Sequence, residues 1–303
     1  MDLLREHLIL SGYVIVAGAM IVLASKRPGW KIPAFVMQIA FGALFSAFVV
    51  FYVRSASFSA SWMFLLFLVL FFVGNEFFRA RYERFVFQTS VFFIALFSYA
   101  IFALPILLGK IGAGIFLLSG AISVAAIGGF ARLLKKEMPK SVLVIFALFN
   151  IFYFANIIPP IPLALKESGI YHRIERINGS YRVLYEKPPW YRFFDDTSVV
   201  FHTIPGKTLY AYSAIFAPVG IQTDIVHRWS YFDENKDEWF YETAIRFPIT
   251  GGRENGYRGY TFKRNARAGR WRVDVQTPRG QTLGRMTFRV VEGIPQELTE
   301  AVR

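Results

Sequence analysis

The sequence predicts a membrane α-helical bundle of six transmembrane helices, followed by an all-β antiparallel sandwich of immunoglobulin-like type. Three observations predict it. Of 303 residues, 54% are hydrophobic and 18% aromatic, including 33 Phe, which is too apolar for one soluble domain. The pattern changes near residue 164, from long unbroken apolar runs to short alternating ones between turn residues. Most of the charge lies beyond that change, under a formal net charge of +13. The parts divide as residues 1–163 for the transmembrane helices, 164–179 for an interfacial linker or short helix, and 180–303 for the β-domain.

Six stretches approach or exceed the roughly 20 residues that span a bilayer: 8–25, 33–53, 59–78, 85–108, 111–134 and 141–163. The first reads as a retained helix rather than a signal peptide, since Arg5 alone precedes it beside Asp2 and Glu6, and positive charge follows it. Basic residues in the five successive loops number 3, 1, 3, 1 and 4, the last counting Arg132 at the end of the fifth span with Lys135, Lys136 and Lys140. By the positive-inside rule the odd loops are cytoplasmic, which puts both termini and the β-domain outside. The expected location is therefore a plasma membrane, with the C-terminal domain outside the cytoplasm.

No ionisable residue falls near the centre of a span, which argues against a pump or coupled transporter. Gln38, Gln88, Asn150 and Asn156 are expected to cross-link helices. Ala121, Ala125 and Gly129 recur every four residues, a spacing suited to close helix packing. Pro105 is expected to kink the fourth helix.

Pro159 and Pro160 cannot continue a helical hydrogen-bond ladder and end the last span. Residues 163–174 are expected as a short amphipathic helix along the membrane surface. The aromatic run "EKPPWYRFF" (186–194) is a second interfacial candidate, with core packing as the equal alternative.

From Ser180 the strand-like runs are "SYRVLYE", "SVVFHTI", "TLYAYSAIFA", "TDIVHRWSYF", "EWFYETAIRF", "GYTFKRN" and a closing hairpin. "DENKD" (233–237) suits a hairpin link. In the closing hairpin, Trp271, Val273 and Val275 alternate with Arg270, Arg272 and Asp274. Met286, Phe288 and Val290 alternate on the return past Thr277-Pro278-Arg279-Gly280. Leu283 is out of phase, and Gly284 beside it can host a bulge that restores the register. Seven or eight such strands imply the sandwich.

Ten basic residues between Arg253 and Arg289 face only Glu254 and Asp274. Arg253, Tyr257, Arg258, Tyr260 and Arg264 form the candidate ligand site, because Tyr stacks on sugars and guanidinium forks grip anions. The alternative is a solvated face of outward arginines. The expected partners are membrane lipids and either an anionic envelope glycan or a membrane or periplasmic protein. Nucleic acid is not expected on a domain outside the cell.

Other chemistry is absent from the pattern. Without cysteine there is no disulfide, zinc–thiolate or Fe–S site and no thiol nucleophile. His172, His202 and His227 lack metal-ligand spacing, so no metal or cofactor is expected. "DENKDE" begins like a calcium loop but has Glu238 where Gly is required and Ala244 where Glu is required. No nucleophile elbow surrounds Ser198, Ser213 or Ser230. Asp195-Asp196 reads as a solvated loop, and His227 with Trp229 as core packing around a satisfied imidazole. No catalytic residue is assigned.

The blocks "VHRWSYFDENKDEW", "ITGGRENGYRGYTFKRN" and "GRWRVDVQTPRGQTLGRMTFRV" resemble a C-terminal module of bacterial multi-pass membrane proteins, a domain of unknown function of the family 2914 type. The resemblance covers roughly residues 200–291 and implies a small β-domain behind a variable membrane anchor. It implies no activity and no catalytic residues. The function expected is thus a non-enzymatic, membrane-anchored β-domain binding an envelope component, an anionic lipid or glycan, or a partner protein. The alternative is a membrane-embedded enzyme or transporter acting on a lipid-linked substrate.

Overall fold

A computed structural model describes residues 3–177, 179–187, 200–204, 206–295 and 298–303. The chain divides into two compact units, Met1–Pro162 with Val219–Ile221, and Leu163–Pro218 with Gln222–Arg303.

The first unit is helical: α1 (Leu3–Lys26), α2 (Lys31–Ser55), α3 (Phe58–Gly74), α4 (Phe85–Leu108), α5 (Ala113–Leu133) and α6 (Lys140–Phe154), with a 3-10 turn at Arg79–Glu83. Four of them (α1, α2, α4 and α5) are long and apolar enough to cross a membrane. At 17 and 15 residues, α3 and α6 are apolar but extend only about 26 and 22 Å. The last helix stops short of residue 163 because Asn156 takes a left-handed φ of 58°, and two prolines follow.

The most enclosed helix is α4, which packs against α1, α2, α5 and α6 and continues through Pro105 to Leu108. Its core is aromatic, with Phe97 stacked 4.8 Å from Phe149 and Phe116 stacked 3.8 Å from Tyr153. The small-residue seam departs from expectation: Ala121, Ala125 and Gly129 are exposed, while Ser119, Gly120, Ser123 and Ile127 are buried. Close approach falls on Gly120, where a Cβ would lie 2.5 Å from the Phe146 ring. The phenylalanines of α4 and α6 select that face.

Of the expected amides, Gln38 links α2 to the end of α3, its Nε2 donating to the Asn75 carbonyl at 3.3 Å, whereas Gln88 reaches only the turn before its own helix. Asn75 Nδ2 donates to the Gln38 carbonyl (2.8 Å), Tyr82 Oη donates to Asn75 Oδ1 (2.6 Å), and Gln88 Nε2 donates to the Tyr82 carbonyl. Asn150 bonds only within its own helix, to the Phe146 carbonyl.

The second unit has eleven strands among the described residues: β1 (Ala164–Tyr171), β2 (Arg173–Ile177), β3 (Ser180–Glu186), β4 (Val200–Thr203), β5 (Thr208–Phe216), β6 (Gln222–Asp233), β7 (Glu238–Thr250), β8 (Tyr257–Arg264), β9 (Gly269–Gln276), β10 (Thr282–Glu292) and β11 (Leu298–Val302). They form three sheets, β1-β5-β8, β4-β10-β9-β6-β7 and β11-β3-β2.

Residues 163–174 are therefore not a helix. Gly169 costs a helix about 1 kcal/mol, and pairing of Ala164–Tyr171 with β5 buries Ile170 and Tyr171. Nor is the five-stranded sheet purely antiparallel, since β4 runs parallel to β10. A parallel pair needs a long crossover, and the chain between Thr203 and Thr282 supplies it. The aromatic run from 188 onward, Asp195-Asp196 and Ser198 lie outside the described residues.

The closing hairpin forms as its alternation predicts. Trp271 pairs with Phe288, both buried, and the register shifts between Thr282 and Gly284, which makes Leu283 the extra residue. Gly280, at φ 91°, donates its N–H to the Thr277 carbonyl (2.9 Å) and closes the turn. Trp271, Val273 and Val275 face the β1-β5-β8 sheet, and so do His227 and Trp229 of β6. A buried polar string joins the two sheets: His227 Nε2 lies 2.8 Å from Ser213 Oγ, and Nδ1 lies 2.9 Å from Thr261 Oγ1, which also accepts the Trp229 indole N–H at 3.1 Å. On its other face, β1-β5-β8 meets the third sheet through a tyrosine layer of Tyr171, Tyr181, Tyr185 and Tyr212.

Candidate functional site

Alternation along β8 decides where the candidate residues go. Gly259 and Thr261 turn into the core, so Arg258, Tyr260, Phe262 and Arg264 take the opposite face. Arg264 is six residues from Arg258, about 20 Å along the strand, and its guanidinium lies 5.6 Å from the Phe262 ring. Tyr260 packs edge-on to Tyr181 at 6.0 Å. The expected five-residue site therefore separates. Arg253, Tyr257 and Arg258 stay together at one end of the strand, Tyr260 joins the tyrosine layer, and Arg264 stands alone at the other end.

The loop between β7 and β8 builds that end. Gly252 donates its N–H to the Ala217 carbonyl and Gly256 to the Arg253 carbonyl, both at 3.0 Å. Gly256 sits at φ 82°, where an added Cβ would lie 2.9 Å from the Ile215 backbone. Arg253 is thereby held 5.0 Å over the Tyr257 ring. Arg258 Nη1 donates to the Arg303 carbonyl (3.0 Å), and Arg303 Nη1 pairs with Glu167 at 2.9 Å.

Two joined cavities open there. One, of about 250 Å³, is lined by Arg176, Tyr181, Arg253, Glu254, Asn255 and Arg258, among others. The other, of about 450 Å³, shares Glu254, Asn255 and Arg258 and adds Lys166, Glu167 and Arg303. Among the described residues, Arg176 and Arg253 have no carboxylate at ion-pair distance, Arg258 has no carboxylate side chain there, and Glu254 has no cation. Sequence reasoning missed Arg176 because β2 was read as linker. The Asn178-Gly179 dipeptide was the available signal, since it joins two alternating runs as a two-residue hairpin does, and β2 pairs with β3 around it.

The arginines of the closing hairpin stand elsewhere, on the outer face of the five-stranded sheet. Asp274, almost fully buried, takes Nε of Arg285 at 2.5 Å and Nη2 at 3.3 Å, with Arg272 at 3.8 Å. Glu234 lies 3.5 Å from Arg289 and 3.9 Å from Arg270. Arg270 also stacks 3.6 Å from Phe232, and Arg272 4.5 Å from Trp239. Packing among its neighbours lowers the Arg272 guanidinium from its ordinary value. The basic run of the sequence is thus two surfaces.

Of two histidine clusters, the one around Glu186 was invisible in the sequence, while His227 beside Trp229 is the satisfied core imidazole expected. Glu186, buried, accepts from His172 Nε2 (2.8 Å), the His202 main-chain N–H (2.8 Å) and His202 Nδ1 (2.7 Å). Burial lowers the His172 imidazole below its usual value, against the opposing pull of Glu186. His227 is pushed down to about 3 by burial. Its contact with Ser213 resembles a nucleophile and base, but both side chains are closed to solvent, and no carboxylate among the described residues orients the ring. Among the described residues, no three of His, Asp or Glu are grouped to hold a metal ion.

These features define a class: a chain with an apolar helical unit and a three-sheet β-unit that carries a basic cleft. Within the β-unit, residues 222–290, from β6 to near the end of β10, match the family described as "Protein of unknown function (DUF2914)". No curated protein matches the chain. A solved structure, the Pseudomonas fluorescens alkylpurine DNA glycosylase AlkC bound to DNA containing an abasic site analogue, aligns over 90% of this chain and 81% of its own. Identity is 12% and the TM-score 0.23, too slight a likeness to carry an argument about fold or activity.

Proposed function

We propose that this is a bacterial plasma-membrane protein whose six helices anchor an immunoglobulin-like β-domain outside the cytoplasm, and that this domain binds an anionic component of the envelope. The observation that supports the binding role is the cleft: Arg176, Arg253 and Arg258 line it beside a single carboxylate, Glu254, with which none of them forms an ion pair among the described residues, whereas Asp274 and Glu234 serve the arginines of the five-stranded sheet. Guanidinium groups left without counter-ions around a cavity suit an anionic ligand. The orientation rests on loop charges of 3, 1, 3, 1 and 4.

The test uses the full chain in neutral detergent micelles, mixed with phosphatidylglycerol vesicles or a glycerol-phosphate polymer. Binding is expected, and it should weaken as salt shortens the Debye length below about 8 Å. Replacing Arg176 and Arg253 together by Gln should lower affinity by about tenfold or more. Absence of binding to every anionic probe would overturn the reading. Alkaline-phosphatase fusions after Arg54 and Lys110 should be active and those after Lys31 and Lys136 inactive; the reverse pattern refutes the orientation.

A further inference from the structure

The cleft is not uniformly basic. Glu254 lies in both cavities, exposed and without an ion pair among the described residues, and Asn255 lies beside it. A purely anionic ligand held by the three guanidiniums would bring negative charge against that carboxylate. A ligand with a cationic or donor group a few ångström from its anion would meet both. The anionic end is also specified. A carboxylate is planar and is satisfied by one guanidinium fork, whereas Arg176, Arg253 and Arg258 approach from β2, the β7–β8 loop and β8. Donors arriving from three elements suit a tetrahedral oxyanion, whose oxygens point in several directions.

We infer that the cleft takes a phosphate diester bearing an ammonium group, the chemistry of a phosphoethanolamine head group, with phosphate on the arginines and ammonium on Glu254. The inference rests on the anionic-ligand reading above and specifies its ligand. The smaller cavity, at about 250 Å³, is of a size for such a head group. It opens through Glu254, Asn255 and Arg258 into the larger one, which leaves room for the rest of the molecule.

The experiment is calorimetric titration of the full chain in maltoside micelles with glycerophosphoethanolamine, glycerol phosphate and inorganic phosphate. Glycerophosphoethanolamine should bind about tenfold more tightly than glycerol phosphate, the worth of one charge-assisted contact. Glu254→Gln should erase that preference and leave glycerol phosphate binding intact. Arg176→Gln and Arg253→Gln should each weaken both ligands. All three side chains are exposed, so the fold tolerates the changes. Should glycerol phosphate bind as tightly as glycerophosphoethanolamine, with Glu254→Gln neutral, the inference fails while the anionic-ligand reading survives. If no phosphate compound binds, both fail. Nanodiscs identify the source: if phosphatidylethanolamine in the disc blocks the soluble probe and phosphatidylcholine does not, the ligand is a lipid. A probe that binds equally in both discs assigns the cleft to a soluble or polymer-borne head group.

Discussion

Two arginine-rich surfaces of the β-unit look alike in sequence and differ in what surrounds the guanidiniums. On the five-stranded sheet, Arg272 and Arg285 share Asp274, Arg270 and Arg289 share Glu234, and Arg270 and Arg272 also lie over aromatic rings. Those charges hold a sheet face together. Around the cleft, Arg176 and Arg253 form no ion pair with a carboxylate among the described residues. Counting basic residues along the chain cannot separate the two, because a carboxylate partner such as Glu234 sits more than thirty residues from the arginines it serves. What distinguishes the cleft from the sheet face is the absence of ion pairs at Arg176 and Arg253, not the density of arginine.

The sharpest way to test that contrast is to weaken the sheet and leave the cleft alone. Trp271 and Phe288 are core partners on facing strands. Changing either to Ala should destabilise the β-unit by about 3–5 kcal/mol, read from amide hydrogen exchange of β9 in the full chain. Losses under about 0.5 kcal/mol at both positions would show them to be surface-like.

Acid offers a second, graded test. His227 has a folded pKa of about 3 against 6.5 in the unfolded chain, so between those values only the unfolded state takes up the proton. Stability from this group is full above pH 6.5 and is lost as pH falls towards 3, at about 1.4 kcal/mol per pH unit. His172, also lowered by burial, acts in the same direction. The β-unit should be roughly 2 kcal/mol less stable at pH 5 than at pH 7, and His227→Gln should flatten most of that slope. A slope unchanged in the variant would refute the assignment.

A final pair of substitutions separates the surfaces themselves. Asp274→Ala leaves Arg272 and Arg285 facing each other without a counter-ion and should cost about 2–3 kcal/mol. It should not alter anion binding at the cleft. Arg253→Gln should do the reverse, shifting stability by less than about 0.5 kcal/mol. If Asp274→Ala abolished binding, the two surfaces would be one.

Local order was legible in the sequence and distant pairing was not. Alternation about Thr277–Gly280 gave the β9–β10 hairpin with its extra residue at Leu283, because all the information lies within some twenty residues. Continuous apolar runs located six helices. By contrast, β1 was read as helical, since its spacing alone does not reveal the partner β5 that fixes it as strand. Contact of Glu186 with both His172 and His202 joins residues 14 and 16 positions away, at separations no motif records. Half the cleft was visible as Arg253, Tyr257 and Arg258. Arg176 was hidden because a strand taken for a linker carries it.

The pairing of β4 with β10, which is parallel, and of β11 with β3, which is antiparallel, has a consequence for biosynthesis. Val200–Thr203 waits for Arg289–Glu292, and Arg182–Glu186 waits for Leu298–Val302. Two of the three sheets therefore lack a strand until residues 289–302 have been synthesised. Contacts so remote in sequence close slowly, so β4 and one edge of β3 wait while β2–β3 and β1–β5 can already pair. During that interval β4 and the open edge of β3 need shielding from other chains. A chaperone that engages extended segments would be required by this topology in a way that a succession of simple hairpins would not require.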